Sequence, residues 1–108
     1  MPLYMYQGAY TPESWSAQIS DPQNRVEAVG NRVCESVGEK LVGGWLSFGD
    51  FDIVLILDVP DNVSAAAIGL AVASGGAIKS SKTTVLMSGD EGVAALQKAS
   101  SVTYAPKK

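Results

Sequence analysis

Two carboxylates flank the most apolar stretch of the sequence, and they are the first residues whose types could do acid–base chemistry. Asp52 and Asp58 stand near the two ends of "GDFDIVLILD" (49–58). Paired carboxylates can serve as general acid and general base when they share one site. Six residues of extended strand separate these two by ~20 Å, so they cannot form such a pair within one chain. Asp52 is therefore a candidate catalytic residue on its own, and a turn-stabilising acceptor for backbone N–H groups is the alternative.

The absence of histidine narrows the available chemistry further. The sequence has no histidine and a single cysteine, Cys34. It therefore lacks Ser–His and Cys–His nucleophile pairs and histidine-ligated zinc or haem. One cysteine also excludes an internal disulfide and a multi-cysteine metal site, and Cys34 is expected to pack in the core. We expect no cofactor and no metal, and the sequence leaves open whether the protein is an enzyme.

Three aromatic residues and one lysine are candidate ligand contacts. Tyr4 and Tyr6 lie in the first predicted strand, Trp45 in the second and Lys82 in the fourth. The aromatic side chains could line a ligand pocket, and Lys82 could hold an anionic substrate. The alternatives are ordinary core or interface packing for the aromatic residues and a solvated strand position for the lysine.

Length and charge limit the class of protein and its partners. A chain of 108 residues predicts one domain, here 1–100, with a tail over 101–108 that is either flexible or a short extra strand. Eight basic and 11 acidic residues give a net charge of -3, and the basic residues are scattered, which argues against nucleic acid as a partner. No apolar segment reaches the ~20 residues that span a bilayer, and the N-terminus lacks a signal-peptide pattern. The sequence predicts a soluble, cytoplasmic protein without a membrane partner.

Periodicity and capping signals predict the order β-α-β-β-α-β followed by an added helix. Strands are predicted at 3–10, 40–48, 51–59 and 78–87, and helices at 12–18, 22–37, 62–74 and 89–100. Asp21 is expected to cap the second helix, whose apolar stripe is predicted to be Val26, Val29, Val33 and Val37. This order is the ferredoxin-like pattern of an α+β fold, a four-stranded antiparallel sheet with its main helices on one face.

The third predicted strand is apolar on both of its faces. Val54 and Ile56 alternate with the residues that can pack under the helices, so in a monomer they would face water. In the second strand, simple alternation places Leu41 and Trp45 on one face. A bare sheet face this apolar exceeds what soluble monomers usually expose. We therefore predict a homo-oligomer, at least a twofold dimer, with Val54 and Ile56 in its interface.

Six short pieces of the sequence together resemble a known family. They are "YTPES" (10–14), "DPQNRVEAV" (21–29), "GDFD" (49–52), "VPDNVSAAA" (59–67), "LAVASGG" (70–76) and "SKTT" (81–84). With these pieces in this order, the chain resembles the GYD-domain family, a small bacterial family of the dimeric α/β-barrel group, from Tyr4 to about Met87. One departure is Phe51, which stands where the family signature has tyrosine and so lacks a phenol hydroxyl. The resemblance implies a ferredoxin-like fold whose sheets pair in a dimeric α/β barrel, and it implies no particular reaction.

Three functions remain open at the level of sequence. The first is a small-molecule-binding or accessory dimeric α/β-barrel protein. The second is a cofactor-independent enzyme that acts on a small apolar or lactone-like metabolite, with Asp52, a tyrosine and Trp45 near its site. The third is a structural oligomerisation module. A pocket of a few hundred Å³ lined by tyrosine or tryptophan with a carboxylate would favour the first two, and a fully packed interior would favour the third.

Overall fold

A four-stranded antiparallel sheet with four helices forms the fold, described by a computed structural model over residues 3–105. The elements are β1 (Leu3–Tyr10), α1 (Pro12–Ser20), α2 (Arg25–Ser36), β2 (Lys40–Leu46), β3 (Ile53–Asp58), α3 (Asn62–Ser74), β4 (Ile78–Leu86) and α4 (Gly89–Ala99). The strand order across the sheet is β2-β3-β1-β4. This arrangement confirms the predicted α+β, ferredoxin-like fold.

Three of the four helices begin where capping chemistry predicts. The Thr11 hydroxyl accepts a hydrogen bond from the backbone N–H of Ser14 at the start of α1, and Asp61 accepts one from Ser64 at the start of α3. Ser88 and Glu91 form a reciprocal capping box at the start of α4. These side chains satisfy backbone N–H groups that have no partner within the helix.

The start of α2 differs from the prediction. Helix α1 continues to Ser20 rather than ending at residue 18, so Asp21 becomes its C-cap, and α2 begins at Arg25 with Asn24 in the N-cap position. The Asp21 carboxylate instead accepts a hydrogen bond from the Gln23 side-chain amide and lies 3.5 Å from the Arg25 guanidinium. The predicted cap by Asp21 is wrong because the preceding helix is longer than its sequence indicated.

The buried stripe of α2 is also shifted from the predicted run of valines. Its buried residues are Val26, Gly30 and Cys34, each four positions apart. Gly30 lets Leu41 of β2 pack against the helix backbone, since a Cβ at this glycine would lie 2.9 Å from Leu41 Cδ2. Helix α2 therefore lies closest to the sheet at Gly30, and Val29 lies at the edge of the contact between the helix and the sheet.

The connection between β2 and β3 is longer than the predicted two-residue turn. Strand β2 ends at Leu46 and β3 begins at Ile53, instead of at residues 48 and 51. The loop closes on itself, because the Ser47 backbone N–H donates to the Asp52 carbonyl at 2.7 Å and the Ser47 hydroxyl donates to the Phe51 carbonyl at 2.8 Å.

A bulge in β2 reverses the expected face of Trp45. Leu41 pairs with Leu57, but the next pairing is Gly43 with Ile56, so Val42 has no partner in the ladder. One extra residue changes the alternation of every side chain beyond it. Leu41 therefore lies on the helix side of the sheet and Trp45 on the other, and the prediction that the two share a face is wrong.

The hydrophobic core lies between the sheet and the helices α2 and α3. Its buried residues are Tyr4, Tyr6, Val26, Cys34, Ile53, Leu55, Leu57, Val59, Ala65, Ile68 and Ile78. The strand register places a second set of side chains on the opposite side of the sheet, which we call the open sheet face: Leu3, Met5, Gln7, Gly43, Trp45, Val54, Ile56, Asp58, Lys82, Thr84 and Leu86.

Helix α4 extends from the end of β4 and has no buried residue. The radius of gyration is 17.1 Å, whereas a compact domain of this length has about 13 Å.

Within residues 3–105, the helices are all too short or too polar to cross a membrane. Residues 101–105 contain no strand, and the rest of the predicted tail lies outside the described residues.

Candidate functional site

A cavity of about 200 Å³ lies between the sheet and the helices α1, α2 and α3. Apolar side chains make up most of its walls. The lining residues are Tyr6, Tyr10, Ser14, Ala17, Gln18, Arg25, Val26, Val29, Val33, Ile53, Leu55, Ile68, Val72, Ala77 and Ile78. Small-molecule sites are typically concave and mostly apolar, with a few polar groups that orient the ligand.

Helix α1 forms a wall of the cavity without belonging to the core. It has no buried residue, although Ala17 and Gln18 border the cavity. Its N-terminus is held by a hydrogen bond of 2.9 Å from the Thr11 N–H to the Ala77 carbonyl. The ring of Trp15 also meets the ring of Tyr10 edge to face, with 5.0 Å between their centroids. The space under α1 is left open because α2 and α3, and not α1, fill the helix side of the sheet.

Tyr4 and Tyr6 lie on the same face of β1 but differ in how their hydroxyls are satisfied. The Tyr4 hydroxyl donates to Asn62 Oδ1 at 2.6 Å. The Tyr6 side chain is 1% exposed, and its hydroxyl is buried without a hydrogen-bond partner among the described residues. Burial raises the pKa of Tyr6, and the nearby Ser81 hydroxyl offsets part of that rise, although the two groups do not reach hydrogen-bond geometry. Tyr6 thus lines the cavity, but its neutral hydroxyl is enclosed by protein atoms.

Asp52 lies beside the cavity and binds backbone. Its carboxylate accepts a hydrogen bond of 2.9 Å from the Tyr10 N–H, and its own N–H donates to the Gly8 carbonyl at 2.8 Å. These bonds hold the end of β1 where its register against β4 shifts. Burial, together with the Asp52 charge, raises the pKa of the Tyr10 hydroxyl, and Arg25 opposes the rise. Asp52 is not among the residues that line the cavity, and a catalytic role for it stays a prediction.

The remaining predicted site residues fall on different sides of the sheet. Tyr4 is buried in the core outside the cavity lining. Trp45, 54% exposed, and Lys82 both lie on the open sheet face, with Val54 and Ile56 half-buried between the outer strands. Of the predicted ligand contacts, Tyr6 is therefore the one that lines the cavity. The roles assigned to the other residues stay predictions.

Sequence reasoning missed several of the residues that define the cavity. Tyr10, Arg25 and Ile68 come from three different elements and meet only in the folded chain. Tyr10 shares the face of Tyr6 by strand alternation, and that was the available signal. The expected carboxylate is absent from the lining, where Arg25 is the charged side chain.

Metal-ligating and nucleophilic side chains are few in the part of the chain that the structure describes. Across residues 3–105, histidine, cysteine and acidic side chains do not gather in threes as a metal site would require. Cys34 is fully buried, and burial raises the pKa of its thiol. A thiol in this state is a poor nucleophile.

Comparison with known proteins places the chain in a family. The GYD domain matches residues 4–96, and no curated protein matches significantly. The crystal structure of FFRP-DM1 is similar in fold, with a TM-score of 0.53, 10% identity, and 81% of this chain and 100% of that chain covered. The crystal structure of hypothetical protein PHS023 from Pyrococcus horikoshii has a TM-score of 0.50, 8% identity and coverage of 82% and 92%. On the match that spans most of its length, the chain belongs to the GYD domain family.

Proposed function

We propose that the protein binds a small apolar molecule in the cavity between its sheet and helices, and that it does so as a homodimeric α/β barrel. The observation that carries the proposal is the cavity itself, about 200 Å³ in volume with largely apolar walls. An apolar cavity of roughly 150 Å³ in another protein stays dry and admits benzene. The space here therefore fits a molecule with a single ring or a similar small apolar body.

The open sheet face supports the dimer. Val54 and Ile56 lie at its centre beside Met5, and Trp45 exposes about half of its surface there. A second copy of the sheet would cover these apolar side chains.

Titration with toluene, followed by ¹H–¹⁵N correlation spectra, tests the cavity. We expect saturable shifts confined to residues of α1, α2, α3 and the sheet around the cavity. The variant Ala17→Phe projects a ring into the space from an exposed position on α1 and should abolish these shifts. Ala66→Phe, an exposed position on α3 outside the lining, is the matched control and should leave them intact. Wild-type protein without saturable shifts would refute ligand binding in this cavity.

Substitution in the open sheet face tests the dimer. Val54→Asp places a charge at the centre of the proposed interface, where its desolvation is unfavourable, and should yield a monomer in light scattering at micromolar concentration. Val63→Asp makes the same change at an exposed position in the first turn of α3 and should leave the dimer intact. A wild-type monomer at the same concentration would contradict the dimer.

A further inference from the structure

We propose that Arg25 binds a carboxylate at the rim of the cavity, and that the ligand is a small monocarboxylic acid whose single ring or similar apolar body fills the space. This inference rests on the proposed function and names the ligand class for the same site. Its starting point is the charge of the lining. Arg25 is the one charged residue among the described side chains that border the cavity, and its sign is opposite to the net charge of -3 of the whole protein.

Arg25 stands where both water and a ligand can reach it. It is the first residue of α2, and it also borders a surface depression that it shares with Gly44 and Trp45 of β2. Its side chain is 43% exposed. Its positive charge lowers the pKa of the Tyr10 hydroxyl, against the larger effect of burial, so the guanidinium lies near a second residue of the lining. A ligand in the cavity can therefore meet Arg25 at the rim while its carboxylate stays partly hydrated.

The guanidinium of Arg25 is largely free to bind a ligand. It has five N–H donors, and within residues 3–105 its one partner is the Asp21 carboxylate, at 3.5 Å. Exposed ion pairs contribute little to stability, so a ligand can replace this one at small cost. Asp21 also accepts a hydrogen bond of 2.8 Å from the Gln23 amide, which it keeps when Arg25 turns away. A carboxylate suits the vacated position, because it accepts two parallel hydrogen bonds from the guanidinium fork.

The surroundings of Arg25 determine where the two ends of the ligand lie. Asp52 is bound to the Tyr10 N–H and does not line the cavity. Its negative charge reaches the Tyr10 hydroxyl and opposes an anion deep beside that ring, which favours a head group on the exposed side of Arg25. The remaining walls, among them Ile68 and Val72 of α3, suit the hydrocarbon part of the ligand.

Benzoate and benzamide form the test pair, since they have the same ring and nearly the same shape but differ in charge. Their dissociation constants should be measured by NMR titration for wild type, Arg25→Gln and the control Arg32→Gln. The control removes the same charge from an exposed position of α2 outside the lining. In wild type we expect benzoate to bind about tenfold more tightly than benzamide. Arg25→Gln should abolish this preference, and Arg32→Gln should retain it.

Asp21→Asn gives a result that a misfolded variant cannot produce. Because it removes the carboxylate that competes for Arg25, it should tighten benzoate binding about threefold and leave benzamide binding unchanged. In the unmodified protein, the side-chain Nε–Hε resonance of Arg25 should shift with benzoate and not with benzamide. Equal shifts with both compounds, or benzoate binding that Asp21→Asn weakens, would overturn the inference.

The outcomes separate this inference from the proposed function. If neither toluene nor benzoate binds the wild type, both fail. If toluene binds but benzoate binds no more tightly than benzamide, the cavity is a site for apolar molecules and the carboxylate is refuted. A preference for benzoate that persists in Arg25→Gln would also overturn the inference, because a group other than Arg25 would then cause it.

Discussion

Replacing Asp52 with alanine should lower the free energy of unfolding by the contribution of one hydrogen bond. The substitution removes one hydrogen bond, from the Tyr10 N–H to the Asp52 carboxylate at 2.9 Å, and leaves both backbone hydrogen bonds of Asp52 in place. A hydrogen bond to a charged group contributes about 1.5–3 kcal/mol. Asp52 is only half-buried, so water can replace part of the bond, and we expect a loss of about 1–2 kcal/mol. For a domain of this size, that lowers the melting temperature by about 5–10 °C.

Thermal unfolding followed by circular dichroism measures this loss, and two further variants isolate its cause. Asp52→Asn keeps an oxygen acceptor without the charge and should lose about half as much stability. Asp50→Ala, an exposed position in the same loop, should change stability by less than about 0.5 kcal/mol. Asp52→Asn should also lower the pKa of Tyr10, because the Asp52 charge now raises it.

Two results would refute this reasoning about Asp52. The first is an Asp52→Ala protein as stable as wild type, since the hydrogen bond to Tyr10 would then contribute nothing. The second is an asparagine variant that loses as much stability as the alanine variant, since the charge alone would then account for the effect. A loss of enzymatic turnover at unchanged stability would instead support the catalytic hypothesis for Asp52.

Two further predictions concern alkaline pH and α4. The pKa values of Tyr6 and Tyr10 are raised from the ordinary 10.0, mainly by burial. Because the folded protein favours the neutral phenols, these two residues contribute their full stability below about pH 10, and that contribution is lost as the pH rises through their folded-state pKa values. Urea unfolding between about pH 8 and 11 should therefore show falling stability, with a shallower fall in Tyr6→Phe, and equal slopes would contradict this. Deleting 89–108 should lower the unfolding free energy of the remaining domain by less than about 1 kcal/mol in urea, because α4 has no buried residue. Deleting 101–108 alone is the control, and a loss of several kcal/mol from the longer deletion would mean that α4 packs against the domain.

The order of elements could be predicted from the sequence because local signals determine it. The N-caps at Thr11, Asp61 and Ser88, and the left-handed Gly38 after α2, each act within a few residues of the chain. Such signals do not depend on what packs against the element. The prediction that Asp21 caps α2 was wrong because an aspartate can stand either at the end of one helix or at the start of the next.

The face of Trp45 and the cavity could not be predicted in the same way. The bulge at Val42 is a property of the pairing between two strands, and the sequence of β2 alone does not reveal it. The cavity exists because α2 approaches the sheet closely at Gly30 while α1 stays outside the core. Alternation along β1 places Tyr6 on the same side as Tyr4 and Tyr10, but the unpaired hydroxyl of Tyr6 depends on distances between strands and helices.

The most direct test of ligand binding in the cavity is a crystal structure of the protein exposed to bromobenzene, with the bromine located by anomalous diffraction. We expect one bromine site per chain in the space enclosed by α1, α2, α3 and the sheet, within contact distance of Tyr6 and Ile68. Bromine found only on the protein surface, with the cavity free of added density, would contradict the proposed function.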